Sequence, residues 1–309
     1  MIKIFIGLFI FCMTLFIYIH INYQLKTNND LEIYEITEND SKEQMEEIMD
    51  IRIPVILSNI DGFRQFADQT KWDSLIETYP MFDIALRNPE RNEAQPVMSL
   101  GVASKALLVD NSLYSENNTL FLSETGVGKL FAYHDAILRP HLVCDCRYDI
   151  VLGASETQTP FRYELNYRSF FTVTQGSIRV KLAPPKSSKY LHTIYDYQAF
   201  EFKSPINPWS PQSQYIIDFQ KIKCMEIVLH PGQILFIPAY WWYSIKFNTK
   251  ATSINTFKYK TYTNNLAILP QTLMYILQQQ NVKRSLTQIY VPPNDETHVN
   301  DEKNISQTF

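Results

Sequence analysis

The sequence predicts a mainly β domain, a sandwich or barrel with flanking helices, behind a single N-terminal transmembrane helix. Three observations lead there. Residues 148–260 break into short β-branched and aromatic runs separated at close intervals by turn residues, the pattern of a sandwich or barrel. The stretches from Ser41 before that block and from Thr272 after it carry helical patterning. An uncharged apolar run from Ile4 to Ile21 opens the chain.

Composition supports a folded body, with 45% apolar and 19% charged residues. The 28 basic and 32 acidic residues give a net charge of −4 and no basic stripe, so nucleic acid is not expected as a partner. Of the cysteines, Cys12 lies in the apolar run, and Cys144 and Cys146 stand two apart, where they share a strand face and cannot pair without strain. With Cys224 they give no disulfide framework. Asn-x-Ser/Thr occurs at several positions, Asn117 and Asn304 among them, a pattern too short to assign a compartment.

The elements follow in order. At about 1.5 Å per residue, Ile4 to Ile21 covers most of a hydrocarbon core of roughly 30 Å. Residues 1–22 therefore read as a single-pass membrane anchor, with Lys3 weakly favouring a cytoplasmic N-terminus. A cleaved signal peptide, the rival reading, would have a shorter run and a small-residue cleavage site, and none follows. Residues 23–40 read as a polar stalk. Ser41 caps a short helix with glutamates early and Arg52 late, and Arg52–Ser58 is a strand stopped by Asn59, Asp61 and Gly62. Helices are expected from there to about Asn88. Strands are then expected at 161–165, 169–174, 177–182, 222–229, 234–238, 243–247 and 252–259. A helix at about 271–288 closes a domain spanning 41–290, and 291–309 is a polar tail.

Two segments carry a family resemblance. HPGQILFIPAYWWYSIKF, from His230 to Phe247, resembles the second half of the jumonji-C and cupin-like 2-oxoglutarate oxygenase motif: Pro-Gly-(Asp/Gln), an apolar strand, Ile-Pro, then Trp-Trp-His. TPFRYELNYRSFFTVTQGSIRVKLAPP, from Thr159 to Pro185, resembles the first half, with its Thr-Pro-x-His-x-Asp, strand, Gly-x-Lys and closing Pro-Pro. The resemblance covers about 45–280 and implies a double-stranded β-helix of the cupin type. The chain looks most like cupin-like proteins of large DNA viruses.

In such oxygenases a His-x-Asp and a later His hold Fe(II), leaving positions open for 2-oxoglutarate and oxygen. Carried over residue by residue, the metal positions fall on Arg162, Glu164 and Tyr243. Arginine has no lone pair for a metal and neutral tyrosine is a poor ligand, so Glu164 is the one possible ligand. The lysine that clamps 2-oxoglutarate falls on Ile178, on an apolar face with Val180 and Leu182. Asn255 matches a polar position of a late strand, and Tyr240 and Trp241 are candidates to line a cleft. The expected arrangement is a cluster in which the Arg162 guanidinium replaces the iron, paired with Glu164 beside the Tyr243 ring. The opposite register, with Phe161, Tyr163 and Leu165 inward, stays open. His134, His141, Cys144 and Cys146 match no familiar zinc spacing.

Two functions follow from the resemblance. One is a membrane-tethered domain without cofactor or oxygenase activity, a pseudoenzyme that binds a protein, small molecule or glycan; a structural protein of a virion membrane would look the same. The other is an Fe(II)/2-oxoglutarate-dependent hydroxylase or demethylase-like enzyme with altered ligands. The helix past Pro270 is a candidate homodimer surface.

Overall fold

A computed structural model of the chain describes residues 2–36, 41–60, 62–89 and 96–281. In these residues the strands are β1 (Tyr34–Ile36), β2 (Val55–Ser58), β3 (Asp83–Arg87), β4 (Val97–Ser99), β5 (Tyr114–Ser115), β6 (Val143–Gly153), β7 (Arg162–Tyr163), β8 (Arg168–Gln175), β9 (Ile178–Ala183), β10 (Ile194–Asp196), β11 (Glu201–Lys203), β12 (Met225–Leu229), β13 (Gln233–Pro238), β14 (Trp242–Phe247) and β15 (Thr252–Thr261). A nine-stranded sheet runs β1-β2-β13-β8-β15-β6-β5-β3-β4, and a six-stranded sheet runs β10-β11-β7-β14-β9-β12. Between these strands the pairings are antiparallel, except that β1 lies parallel to β2.

Alternation explains the layers. On β9 and β14, Ile178, Val180, Leu182, Tyr243, Ile245 and Phe247 point to one side and meet Phe171, Val173, Leu235 and Ile254 of the larger sheet, forming an apolar layer between the sheets. The outer face of the larger sheet carries Phe170, Phe236, Phe257 and Tyr259. It is covered by the helices Phe63–Gln69 and Val127–His134, whose Phe66 and Phe131 rings lie 5.9 and 5.1 Å from Phe257. Burying each such ring or branched chain stabilises by about 1.5–3 kcal/mol.

Strand β15 positions the site. Its outer face carries Asn255, Phe257 and Tyr259, while Ile254, Thr256, Lys258 and Lys260 share the opposite face. Ile254 belongs to the apolar layer, so the inner surface turns polar towards one end of the strand.

The expected mainly β body with helices is what the structure has, and all seven strands read between 161 and 259 are present with shifted ends. Ser41 caps the helix Lys42–Asp50, closing a capping box with Gln44. Other boundaries differ. The stretch before Asn88, expected to be helical, ends in β3, and β6 begins at Val143, before residue 148. The N-terminal helix runs Ile2–Leu25, past the expected end of the anchor. Its last turn is docked: Arg52 Nη1 donates to the carbonyls of Gln24 and Lys26 at 2.9 and 2.7 Å, and Gln24 Nε2 donates to Thr263 Oγ1 at 3.1 Å. The segment read as a stalk also contributes β1 to the sheet, because Tyr34, Glu35 and Ile36 find backbone partners along Val55–Leu57. By length and composition the N-terminal helix suits a membrane span or a signal sequence equally. The helix after Leu269 reaches Asn281; the rest of the helix expected to 288 and the tail 291–309 lie outside the described residues.

Candidate functional site

The site grows from one cross-strand pair. Arg162 on β7 stands opposite Tyr243 on β14 in antiparallel register, so their side chains share a face, and Glu164 two residues on returns to it. Arg162 is buried, at 6% exposure. Its Nε donates to the Tyr243 hydroxyl at 3.2 Å and its carbon centre lies 5.5 Å from the Tyr243 ring centroid. The Tyr243 hydroxyl in turn donates to Glu164 Oε1 at 2.5 Å. The three residues expected to cluster therefore do so.

Their charge pairing differs from the expectation. Glu164 is held by Lys258 Nζ at 2.8 Å, by Asn166 Nδ2 at 2.6 Å and by Ser169 Oγ at 3.3 Å. The guanidinium of Arg162 instead pairs with Glu116 through both terminal nitrogens, 2.9 Å for Nη1 to Oε2, and with Glu201 Oε1 at 3.0 Å. Arg87 completes the network, reaching Glu116 Oε2 at 3.1 Å and Glu201 Oε2. Two guanidinium groups thus share two carboxylates, Arg162 and Glu116 buried and Arg87 and Glu201 partly so, each charge meeting opposite charges in directional hydrogen bonds.

The electrostatics follow from that geometry. Burial pushes the Glu116 carboxyl upward, but the Arg162 and Arg87 guanidinium groups outweigh it and hold the group far below the ordinary range. Glu201 is depressed by the same two cations against its own burial, and Glu164 by Lys258 and Arg162. Burial, with Glu164 and Glu116 nearby, raises the Tyr243 hydroxyl well above its usual value, so it stays a neutral phenol. Asp149 is the exception among the acids. Burial and the neighbouring Glu116 push it up to about 6, although the backbone N–H groups of Asn117 and Asn118 both donate to it at 2.7 Å.

These groups line a cleft of about 350 Å³, bounded by Arg87, Glu116, Asp149, Arg162, Glu164 and Glu201, by Thr256, Lys258 and Lys260 of β15, and by Tyr148, Tyr163 and Phe200. Several residues expected at the site sit elsewhere. Ile178 is sealed in the layer between the sheets because its β9 face is wholly apolar. Trp241 is buried, its indole N–H donating to the Arg52 carbonyl at 3.1 Å, which makes it a packing residue. Asn255 points outward and donates to Thr70 Oγ1 at 2.7 Å. Tyr240 is half-buried at the back of Tyr163, with ring centroids 6.2 Å apart, and does not line the cleft.

The histidines and cysteines are scattered. His134 packs on Phe66, His141 is exposed beside Glu46, and Cys144 donates to the Lys260 carbonyl. Among the described residues no group of three or more His, Cys, Asp or Glu side chains is arranged to hold a metal ion. The residues that sequence reasoning missed are Arg87, Glu116, Asp149, Glu201, Lys258 and Lys260. Only the last two left a legible mark, the period-two spacing with Thr256.

Comparison with known proteins adds a family. The profile described as "Cupin-like domain" matches residues 86–264, more than half of the chain. HSPB1-associated protein 1 of Rattus norvegicus is 30% identical over 96 residues, which is 31% of this chain and 20% of that protein, and the protein of the same name from Homo sapiens is 29% identical over 96 residues, with the same shares. JmjC domain-containing protein D of Dictyostelium discoideum is 28% identical over 103 residues, 33% of this chain and 23% of that protein. The chain thus matches about a fifth of the length of these curated relatives.

Proposed function

This chain belongs to the Cupin-like domain family, and we propose that it uses the family's β architecture as a membrane-tethered binding scaffold, a pseudoenzyme without oxygenase chemistry. The observation that carries the reading is a buried guanidinium, Arg162, at the position where similar oxygenases place the first iron ligand. Fe(II) needs lone-pair donors, and the residues here do not fit it: Arg162 offers none, Tyr243 is a neutral phenol whose hydroxyl donates a hydrogen bond to Glu164, and Glu164 is already paired with Lys258. A divalent ion beside Arg162 would also meet a like charge in a low-dielectric site. The position of the 2-oxoglutarate lysine holds Ile178, fully buried among apolar side chains, where a carboxylate would lose its hydration without gaining a partner. No chemical step is therefore derived through iron or 2-oxoglutarate.

The N-terminal helix supports a single-pass membrane location with a short cytoplasmic end, and the resemblance to cupin-like proteins of large DNA viruses extends this to a host or virion membrane. The cleft is the binding surface of the scaffold, for a protein, a small molecule or a glycan. A protein partner accords with the name of one relative, which associates it with HSPB1. The exposed Leu273, Met274, Ile276 and Leu277 of the helix Leu269–Asn281 support pairing of two copies. Incubation of the full chain with Fe(II), 2-oxoglutarate and oxygen, followed by NMR detection of succinate, tests the reading. No succinate above a protein-free control is expected. Succinate formation that disappears in Glu164→Gln would establish the oxygenase with altered ligands instead.

A further inference from the structure

Among the described residues five cations line the cleft, and four of them have a carboxylate within 4.0 Å. Arg87 and Arg162 are paired with Glu116 and Glu201, Lys258 with Glu164, and Arg147 with Asp145 at 3.1 Å. Lys260 is the exception. It is 8% exposed, its Nζ lies 5.2 Å from the Phe200 ring centroid, and it meets no carboxylate within 4.0 Å among the described residues. Asp145, opposite it on β6, and Glu164 act on it only from beyond that distance, and a ring face attracts an ammonium without replacing a counter-charge in contact. Further along the same inner face of β15 lies Thr256, 1% exposed, whose hydroxyl has no hydrogen-bond partner. The spacing i, i+2, i+4 puts Thr256, Lys258 and Lys260 in one row along the cleft wall.

An ammonium with no carboxylate in contact and an unpaired buried hydroxyl in one row, beside the Phe200 ring, are complementary to one kind of molecule. We propose that the cleft binds a small carboxylic acid, its carboxylate on Lys260, its body along the Phe200 ring, and a second hydrogen-bonding group directed to Thr256. Of the carboxylates lining the cleft, Glu116, Glu164 and Glu201 are each matched by a cation in contact, and Asp149 is held by the backbone N–H groups of Asn117 and Asn118. Burial lowers the affinity of Lys260 for its proton, and an arriving carboxylate reverses that cost. The inference deepens the scaffold reading and rests on it, since it places the ligand where no iron is needed to hold it.

The probe pair is 4-hydroxybenzoate and the uncharged 4-hydroxybenzamide, titrated calorimetrically into the full chain in detergent micelles with a chelator present. The acid is expected to bind saturably and the amide at least about tenfold more weakly, the value of one hydrogen bond to a charged group. Lys260→Met should weaken the acid by about the same factor, while Lys105→Met on the exposed surface leaves it unchanged. The acid-to-amide ratio in the parent protein needs no variant to fold. Equal binding of acid and amide, absence of binding to the folded parent, or full affinity in Lys260→Met would overturn the proposal. Repeating the titration with Fe(II) separates the two readings: binding that appears only with iron overturns the scaffold reading as well, whereas continued absence overturns the carboxylate site alone.

Discussion

Replacing Arg162 with methionine keeps most of the side-chain stem and deletes the guanidinium. Glu116, 4% exposed, then loses both hydrogen bonds from Arg162 and keeps Arg87 and the Tyr114 hydroxyl, while Glu201 and Tyr243 each lose one donor. Two carboxylates are left sharing Arg87, with Lys203 at 3.9 Å from Glu201. Stranding one partner of a buried ion pair costs about 3–5 kcal/mol. For a domain of this size each kcal/mol lowers Tm by about 2–4 °C, so R162M should melt roughly 6–20 °C below the parent. The double variant R162M/E116Q removes the stranded charge and should melt above R162M alone, a non-additivity that the shared network requires. Thermal unfolding followed by circular dichroism, with urea midpoints as a second measure, reads both. An R162M protein melting within about 2 °C of the parent, or additive effects in the double variant, would refute the argument that Arg162 anchors the cleft.

Asp149 gives a pH signature. Its folded value of about 6 lies above that of the unfolded chain, so between about pH 4 and pH 6 the folded form holds a proton the unfolded form has released, and stability falls as pH rises. The drop should be on the order of 2–3 kcal/mol, and D149N should flatten it; urea midpoints that rise across this window would contradict the assignment. Gly176 turns β8 into β9 at φ +79, where a Cβ would lie 2.9 Å from the Ala251 carbonyl oxygen. G176A should therefore cost about 2 kcal/mol or more, and a variant as stable as the parent would show that this turn relaxes freely. Carbonate extraction of membranes from expressing cells should leave the full chain in the pellet and release a chain lacking residues 2–25; release of both would remove the anchor.

Strands β8, β9, β13, β14 and β15 were readable because each has an apolar face that must be buried, and alternation then places every second residue. Strands β5, β10 and β11 were not, since two or three residues are too few for a period to show. At β7 polarity could not choose a face. Phe161 and Arg162 are both buried, one in an apolar cluster and one in the ion network, and the pairing of Arg162 with Tyr243 settles which of them lines the cleft. The clustering of Arg162, Glu164 and Tyr243 was legible through the motif frame. The counter-charges were not, because Glu116 and Glu201 lie 46 and 39 residues from Arg162 and Lys258 lies 94 residues from Glu164. Asn255 shows the same ambiguity from the other side: its strand is buried on both faces, so a polar residue there could turn inside or outside, and it turns outside, where its amide N–H donates to Thr70.

The central claim is that the cleft is organised around a guanidinium where an oxygenase would hold iron. Its most direct measurement is the metal content of the full chain, produced in iron-supplied cells and purified anaerobically, together with calorimetric titration by 2-oxoglutarate before and after adding Fe(II). The account predicts no stoichiometric iron, and no heat of 2-oxoglutarate binding that depends on Fe(II). Iron at one equivalent per folded chain, with iron-dependent 2-oxoglutarate binding abolished in Glu164→Gln, would contradict it.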